Sequence, residues 1–510
     1  MPRPPSPARF SFHRKVAAAI ALVALADGML NGWLAVPLPA IFALCWTAVL
    51  AFAVAAVRRD RRARAALLLA LAFALLLVED PTLLGWSLFW TAIASAALLP
   101  RHRFDDAARW AMRLGLHALS GIAAPFHDTA RLTRLGRDGQ WWRPRTVAAT
   151  IALPLIGGIC FVALFAGANP IISAAFDRIA LPSPAIAIAH GVIWCVVLLG
   201  TWASFRPHAI IGLVGARGTG PVQRLPDVPV ATLGLSLITF NIVFAVQNAL
   251  DIAFLWSGAA LPAGITLADY AHRGAYTLIA AALLAGLFVL VALSPDGAAA
   301  RQPALRRWLV LWIGQTLLLV ASSILRLFDY IAVYSMTVLR LSALAWMLLV
   351  AVGLILIVWR LLTARSAAWL INANALAAAL VLSAAGVIDL GATAAAWNVR
   401  HAHTAGNLDL CYLRGLGPSA LLSLIALERR VRGARLQDRV AFVRAEAMQI
   451  LIEQQANPQD WSWRGARRLR AAETALGPHP RAVAATTNGR NCDGTPFPPP
   501  PAPLTPGPEQ

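Results

Sequence analysis

The chain has 510 residues, 59% of them hydrophobic and 13% charged, with a formal net charge of +20. A soluble domain carries about twice that charged fraction, so the roughly three soluble domains that length alone would give are excluded. The basic balance would suit nucleic acid, but the arginines lie in short links between apolar runs, as in the cytoplasmic loops of membrane proteins, and nucleic-acid binding is set aside.

A bilayer core about 30 Å thick is crossed by roughly 20 apolar residues in a helix. Runs of this kind recur from Val16 to Leu390. They predict an all-α, polytopic transmembrane bundle of about eleven spans. The first four are Val16–Leu34, Pro39–Val57, Ala65–Val78 and Leu83–Leu99, the last two of them short. "RKVAAAIALVALA" resembles a cleavable leader, but the apolar pattern continues through Trp33 and Leu34, which fits a first span better. Then follow Val147–Ala168, Ala185–Ala203, Val230–Leu250, Gly274–Leu293, Leu309–Leu325, Leu341–Leu361 and Trp369–Leu390.

Arginine placement sets the expected orientation. Arg14, Lys15 and the link "VRRDRRAR" put the N-terminus and first internal link in the cytoplasm. The basic links 101–145 and 206–224, and the group Arg301, Arg306 and Arg307, fall on the same side. The opposite links, Ala35–Leu38 and Glu79–Pro81, carry no arginine or lysine. Within the long link 100–146, "ARWAMRLGLHALSGIAAPF" repeats apolar residues at helical spacing, which predicts an amphipathic helix on the inner leaflet or on the protein's own surface.

The expected division is a transmembrane domain over 1–390, an arginine-rich, partly helical region over 391–476, and a disordered Pro-rich tail over 477–510 ending "PFPPPPAPLTPGPEQ". Eleven spans place the C-terminal region outside, against its arginine content. Long tails are poor topology signals, and "SALLSLIAL" is too short to span comfortably, so its side stays open. The cysteines are Cys45, Cys160, Cys195, Cys411 and Cys492. None sits at metal or redox spacing, and no disulfide framework is expected. Lys15 is the only lysine; arginine for lysine with heavy alanine use points to a GC-rich bacterial genome.

Four polar sets interrupt the apolar runs. In "FNIVFAVQNALD", Asn241 and Asn248 share a helix face, and Gln247 and Asp251 lie on the next. In "ITLADYAHRGAYTLI", Asp269 and Arg273 are spaced as a helical acid–base pair beside His272, with Tyr270 and Tyr276 suited to the aromatic belt. In "ILRLFDYIAVYSMTVLRL", Arg326, Asp329 and Tyr330 share a face that Tyr334 and Thr337 continue to Arg340. In "RHAHTAGNLDLCYLRGLG", His401, His403, Asp409 and Cys411 match no standard metal spacing, so neither metal nor cofactor is expected. The chain carries no Walker A, GxGxxG, GxSxG or HExxH motif.

These segments resemble a multi-pass bacterial membrane family, domain of unknown function forty-one seventy-three, with a relative numbered forty-one fifty-three. "ADYAHRGAY" is similar to its Ala-Glu-Tyr-Ala-Arg-x-Gly-Phe stretch, with Asp269 for the glutamate and His272 at a usually basic place. "RLFDYIAVYSMTVLR" is similar to Arg-x-x-x-Tyr-x-x-x-Tyr-Gly-Leu-Thr-x-x-Arg, with Ser335 and Met336 replacing Gly-Leu. "FAGANP" and "NVRHAHTAGNLDLCYLRGLG" resemble two further landmarks, and the likeness runs from the first span to about Leu427. The resemblance implies a membrane fold in the bacterial inner membrane. It implies no substrate, reaction or catalytic residue.

The sequence therefore predicts one polar cluster near the outer leaflet: Asp251, Asp269, Arg273, Arg326, Asp329, Tyr330 and Arg340. An unpaired charge facing lipid is costly, whereas a satisfied network persists. Two functions fit such a cluster. As a structural lock it belongs to a membrane scaffold or signalling component, whose partners are the lipid bilayer and a protein bound through the basic link or the C-terminal region. As a vestibule it belongs to a permease for a polar or anionic solute, with Arg326 and Arg340 attracting the anion and Asp251 serving coupling or gating. No nucleophile–base set emerges, which leaves an enzyme as the weakest reading.

Overall fold

The computed structural model describes residues 7–30, 37–135, 184–207, 211, 230–257, 302–402, 408–486 and 488–498. Among these residues the regular structure is helical, with one isolated antiparallel bridge between Arg490 and Pro496. The expected spans Val147–Ala168 and Gly274–Leu293, the FAGANP stretch, His403, Asp269 and Arg273 lie outside the described residues. Two compact units divide the chain. One comprises Met1–Val78, Trp86–Asp105 and Arg109–Thr219; the other comprises Glu79–Gly85, Asp106–Ala108 and Gly220–Gln510.

The first unit is built from α1 (Pro7–Leu30), α2 (Leu38–Ala53), α3 (Ala55–Arg59), α4 (Arg61–Glu79), α5 (Leu83–Leu98), α6 (Ala107–Leu135) and α7 (Pro184–Phe205). α1 packs against α2 and α7, and Leu22, Met29, Trp46, Phe89 and Phe205 are buried in the shared core. The basic link "VRRDRRAR" is itself helical. Arg58 Nη1 donates to Phe52 O at 2.6 Å, occupying an open carbonyl at the end of α2. Asp60 Oδ1 accepts from the amides of Arg62 and Ala63 at 2.8 and 2.9 Å and so caps the start of α4.

The amphipathic α6 turns its buried side to the protein. Trp110 Nε1 donates to Ser95 Oγ at 3.0 Å, and Arg113 donates to both oxygens of Asp105 at 3.1 and 3.0 Å. Burial holds His117 neutral, with its pKa pushed down to about 4. Gly121 lies against Leu199 O of α7, where a Cβ would come within 2.8 Å, so that close approach requires glycine. Met112, Leu119 and Ile122 remain exposed on the same helix.

In the second unit, α8 (Val230–Asp251) continues into one π-helical turn, Ile252–Trp256. It is followed by α9 (Pro303–Tyr334), α10 (Val338–Thr363) and α11 (Ala367–Val387). α8 packs on α9, α9 on α10, and α10 on α11. Thr337 and Ser366 cap α10 and α11, accepting from Arg340 N and Trp369 N. The burial pattern is that of lipid-facing helices. On α8, Leu235 and Ile242 are 69% and 60% exposed while Asn241 and Asn248 are buried. Apolar residues outside and polar ones inside reverse the arrangement of a water-soluble bundle.

Against the eleven expected spans, five described helices are long and apolar enough to cross a membrane: α7 over Ile188–Phe205, α8 with its π turn, α9, α10 and α11. α2 and α5 are apolar but shorter. The 16 residues of α5 rise only about 24 Å, less than a bilayer core.

The C-terminal lobe comprises α12 (Leu390–His401), α13 (Leu410–Gly415), α14 (Leu421–Arg430), α15 (Ala434–Ala456) and α16 (Trp463–Leu476). Asp389, Asp409 and Ser462 cap α12, α13 and α16. Leu413, Leu421, Leu424, Val440 and Val443 form its core. Two expectations are corrected here. Cys411 and Cys492, 81 residues apart, form a disulfide with Cα atoms 4.9 Å apart. The tail expected to be disordered from Gly477 packs against α15 over much of its described length. Arg490 Nη1 donates to Asp438 Oδ2 at 2.6 Å, Arg444 Nη2 to Arg481 O at 2.8 Å, and Arg439 Nε to Asp493 O at 3.0 Å. Gly494, at φ +80°, sits where a Cβ would come within 2.7 Å of Arg439 O, so this contact also needs glycine.

Candidate functional site

α8 and α9 run parallel and are joined by a polar ladder. Asn241 Nδ2 donates to Trp308 O at 3.1 Å, while Gln315 Nε2 donates to Asn241 Oδ1 at 2.9 Å. One turn pair further on, Asn248 Nδ2 donates to Gln315 O at 3.2 Å. Gln247 Nε2 donates to Asp251 Oδ1 at 2.9 Å, and Arg326 Nη2 donates to the same oxygen. In the π turn, Trp256 Nε1 donates to Ser322 Oγ at 3.0 Å. The ion pair is sealed: the side chains of Asp251 and Arg326 are 0% and 4% exposed. Asn248 Oδ1 and Gln315 Oε1 are buried acceptors with no hydrogen-bond donor among the described residues.

Tyr330 and Arg340 meet at the break between α9 and α10. The Arg340 guanidinium lies 4.5 Å from the Tyr330 ring centroid, and that ring packs on Tyr334 at 4.7 Å. Arg340 Nη1 donates back to Tyr334 O at 2.6 Å and to Ser335 O, occupying two carbonyls at the end of α9. Asp329 is half-buried on α9. Among the described residues the structure thus brings Asp251 to Arg326 and Tyr330 to Arg340.

The break has two further partners. Buried Asn398 of α12 accepts from Met336 N at 2.6 Å and donates to Met336 O at 2.9 Å. Val338 N donates to Tyr412 Oη at 2.8 Å. Directly before these contacts Ser335 adopts φ 68° and ψ 165°, a region occupied almost entirely by glycine and costing other residues about 1–3 kcal/mol. Ser335→Gly is therefore expected to raise stability by about 1 kcal/mol, read as a higher thermal midpoint in detergent. A lower midpoint for Ser335→Gly than for the native chain counts against strain at this residue.

Two clusters were not singled out from the sequence. Asp27 near the end of α1 meets His190 near the start of α7, with Oδ1 and Nδ1 2.6 Å apart. Its signal was an acid and a histidine in separate apolar runs, with nothing in the spacing to pair them. The other joins α16 to the α4–α5 turn and the start of α12. Arg464 Nη1 pairs with Asp80 Oδ2 at 2.6 Å, Arg467 Nη1 with Glu79 Oε2 at 2.8 Å, and Arg468 with Asp389. Burial opposes ionisation of Asp389, but the Ala392 amide and Arg468 more than offset it and hold the carboxyl below its usual range.

Five long apolar helices, with the polar groups of α8 and α9 that join them turned inward, suggest that the chain is a helical membrane protein. It belongs to the family described as Domain of unknown function (DUF4153), whose model matches residues 16–427. The resemblance above named forty-one seventy-three first; the model that matches is forty-one fifty-three. No curated protein and no solved structure matches the chain.

Proposed function

We propose that this protein is a membrane scaffold or sensor component of the bacterial inner membrane, with the α8–α9 ladder as an interhelical lock and the C-terminal lobe as its extracytoplasmic module. The sealed Asp251–Arg326 pair carries the reading. A vestibule for a solute needs water at its charges, whereas a lock needs them paired and dry. The side of the lobe rests on two observations. A disulfide persists in oxidising compartments and is rare in the cytosol. Arg464 and Arg467 bind Asp80 and Glu79, which lie in a link without arginine or lysine. Nine of the lobe's positive charges are not left bare against the positive-inside rule in the same sense as loop arginines: Arg414, Arg439, Arg444, Arg464, Arg467, Arg468, Arg481 and Arg490 face carboxylates, and Arg430 donates to Val399 O.

The π-helical turn directly after Asp251 favours a second reading, the permease, because such turns gather at functional sites. Thiol labelling separates the two. Cys45, Cys160 and Cys195 are replaced by serine while the Cys411–Cys492 pair is kept. Ser322→Cys or Ser323→Cys then places a small thiol beside the lock, and Thr474→Cys an exposed thiol on α16. The lock predicts no labelling of the first two by impermeant reagent from either side. Thr474→Cys should be labelled in intact cells. Labelling of Ser322→Cys from both sides under different conditions would establish alternating access and discard the lock. Labelling of Thr474→Cys only from the cytoplasmic side would discard the orientation.

A further inference from the structure

At one end of the first unit, several helix ends meet around a cavity of about 170 Å³. α1 enters there with Arg14 and Lys15, α2 passes into α3, α5 runs on into Arg101, and α7 ends at Phe205. The volume matches roughly six water molecules, enough for a tetrahedral oxyanion of five heavy atoms. Arg206 adjoins the cluster, but it is paired with Asp128 Oδ1 at 3.2 Å. The other Asp128 oxygen accepts from Trp202 Nε1 at 3.1 Å. Arg101 Nη1 donates to Pro207 O at 2.5 Å, which fixes its guanidinium beside the cavity.

Lys15 makes no ion pair among the described residues, although three arginines and one aspartate act on it electrostatically. Burial first, then Arg101 and Arg206, push its ammonium down to about 8. Cations crowded together in a partly dry site raise each other's energy, and an anion between them reverses that. The same end of the unit carries the helical link with Arg58, Arg59, Arg61, Arg62 and Arg64. Under the orientation proposed above it lies at the cytoplasmic leaflet, where anionic lipids concentrate and basic pockets between helices hold their headgroups. Only this location rests on that orientation; the anion chemistry does not. A lysine suits the cavity because its charge is compact and reaches a phosphate as a point charge.

We propose that the cavity binds a phosphate oxyanion through Arg14, Lys15 and Arg101, presented by the headgroup of an anionic phospholipid. Because Lys15 is the only lysine, an amine-directed acylating reagent modifies just this side chain and the α-amine. The full chain is placed in phosphatidylcholine nanodiscs, alone, with phosphatidylglycerol, or with added inorganic phosphate. Lys15 acylation is followed by peptide mass spectrometry against the α-amine of the same molecules. Phosphatidylglycerol should slow Lys15 about tenfold relative to the α-amine, as expected for a site filled well above its dissociation constant. Arg14→Gln and Arg101→Gln should each remove most of that protection. If Arg101→Gln disturbs the fold through its lost bond to Pro207, Arg14→Gln still carries the comparison.

Protection by phosphatidylglycerol but not by inorganic phosphate identifies the lipid as the source. Protection by both supports the same oxyanion site and assigns a water-borne phosphate as well. Equal Lys15 rates in all three preparations overturn the proposal. So does protection that survives both arginine substitutions. The thiol experiment reads orientation separately, so failure of the lipid arm alone does not implicate the orientation.

Discussion

Asp251→Ala is expected to destabilise the protein by about 3–5 kcal/mol, because it leaves Arg326 as a buried charge without its carboxylate. A guanidinium cannot shed its proton to become neutral, whereas a lone carboxyl in apolar surroundings can take one up. Arg326→Met is therefore expected to cost less than Asp251→Ala. Replacing both, as Asp251→Leu with Arg326→Met, should recover most of the loss, since apolar residues of similar volume need no counter-charge. Denaturant or thermal unfolding of the single and double variants in detergent gives the coupling between the two sites. If the two single losses simply add, the pair is not a unit and the lock loses its basis.

Cys411→Ser should have the second large effect. The bond closes a loop spanning 81 residues of sequence, and a native crosslink of this kind contributes about 2–5 kcal/mol. Its loss should free the chain around Arg481 and Arg490 from α15 and speed tryptic cleavage there, with a fall in the lobe's unfolding midpoint. Cells lacking their extracytoplasmic thiol oxidase should make the native chain with the same protease sensitivity. Unchanged cleavage of Cys411→Ser would mean that the ion pairs to Asp438 and Asp493 hold the tail without the crosslink.

What could be read from the sequence follows the range of the forces involved. α8 to α11 show as apolar runs because lipid contact is a property of each helix by itself. Asn241 and Asn248 could be placed on one face because their spacing is local. Pairing Asp251 with Arg326 needed only the rule that buried charges seek partners. Arg340 was assigned to the cluster by that rule; its contacts with the carbonyls that end α9 depend on the local break and show no such signal. The disulfide escaped because its cysteines are distant and one sits in a Gly- and Pro-rich stretch that looks unstructured alone. Arg439, Arg490 and the close approach at Gly494 organise that stretch, and none of them has a periodic signature. The basic cavity was equally hidden, since Lys15 and Arg101 belong to different links.

The α9–α10 break has a mechanical consequence. Both polar ends of the Asn398 amide engage one residue, Met336, while Tyr412 takes the amide two positions on. Three bonds from two separate helices make this a fastened joint with no single pivot, so α12 and α13 cannot be displaced from the break without loading all three together. A tug on the C-terminal lobe would thus reach α9 and α10 as torque at their shared corner. Force delivered to the lobe has a short route into the long apolar helices α9 and α10.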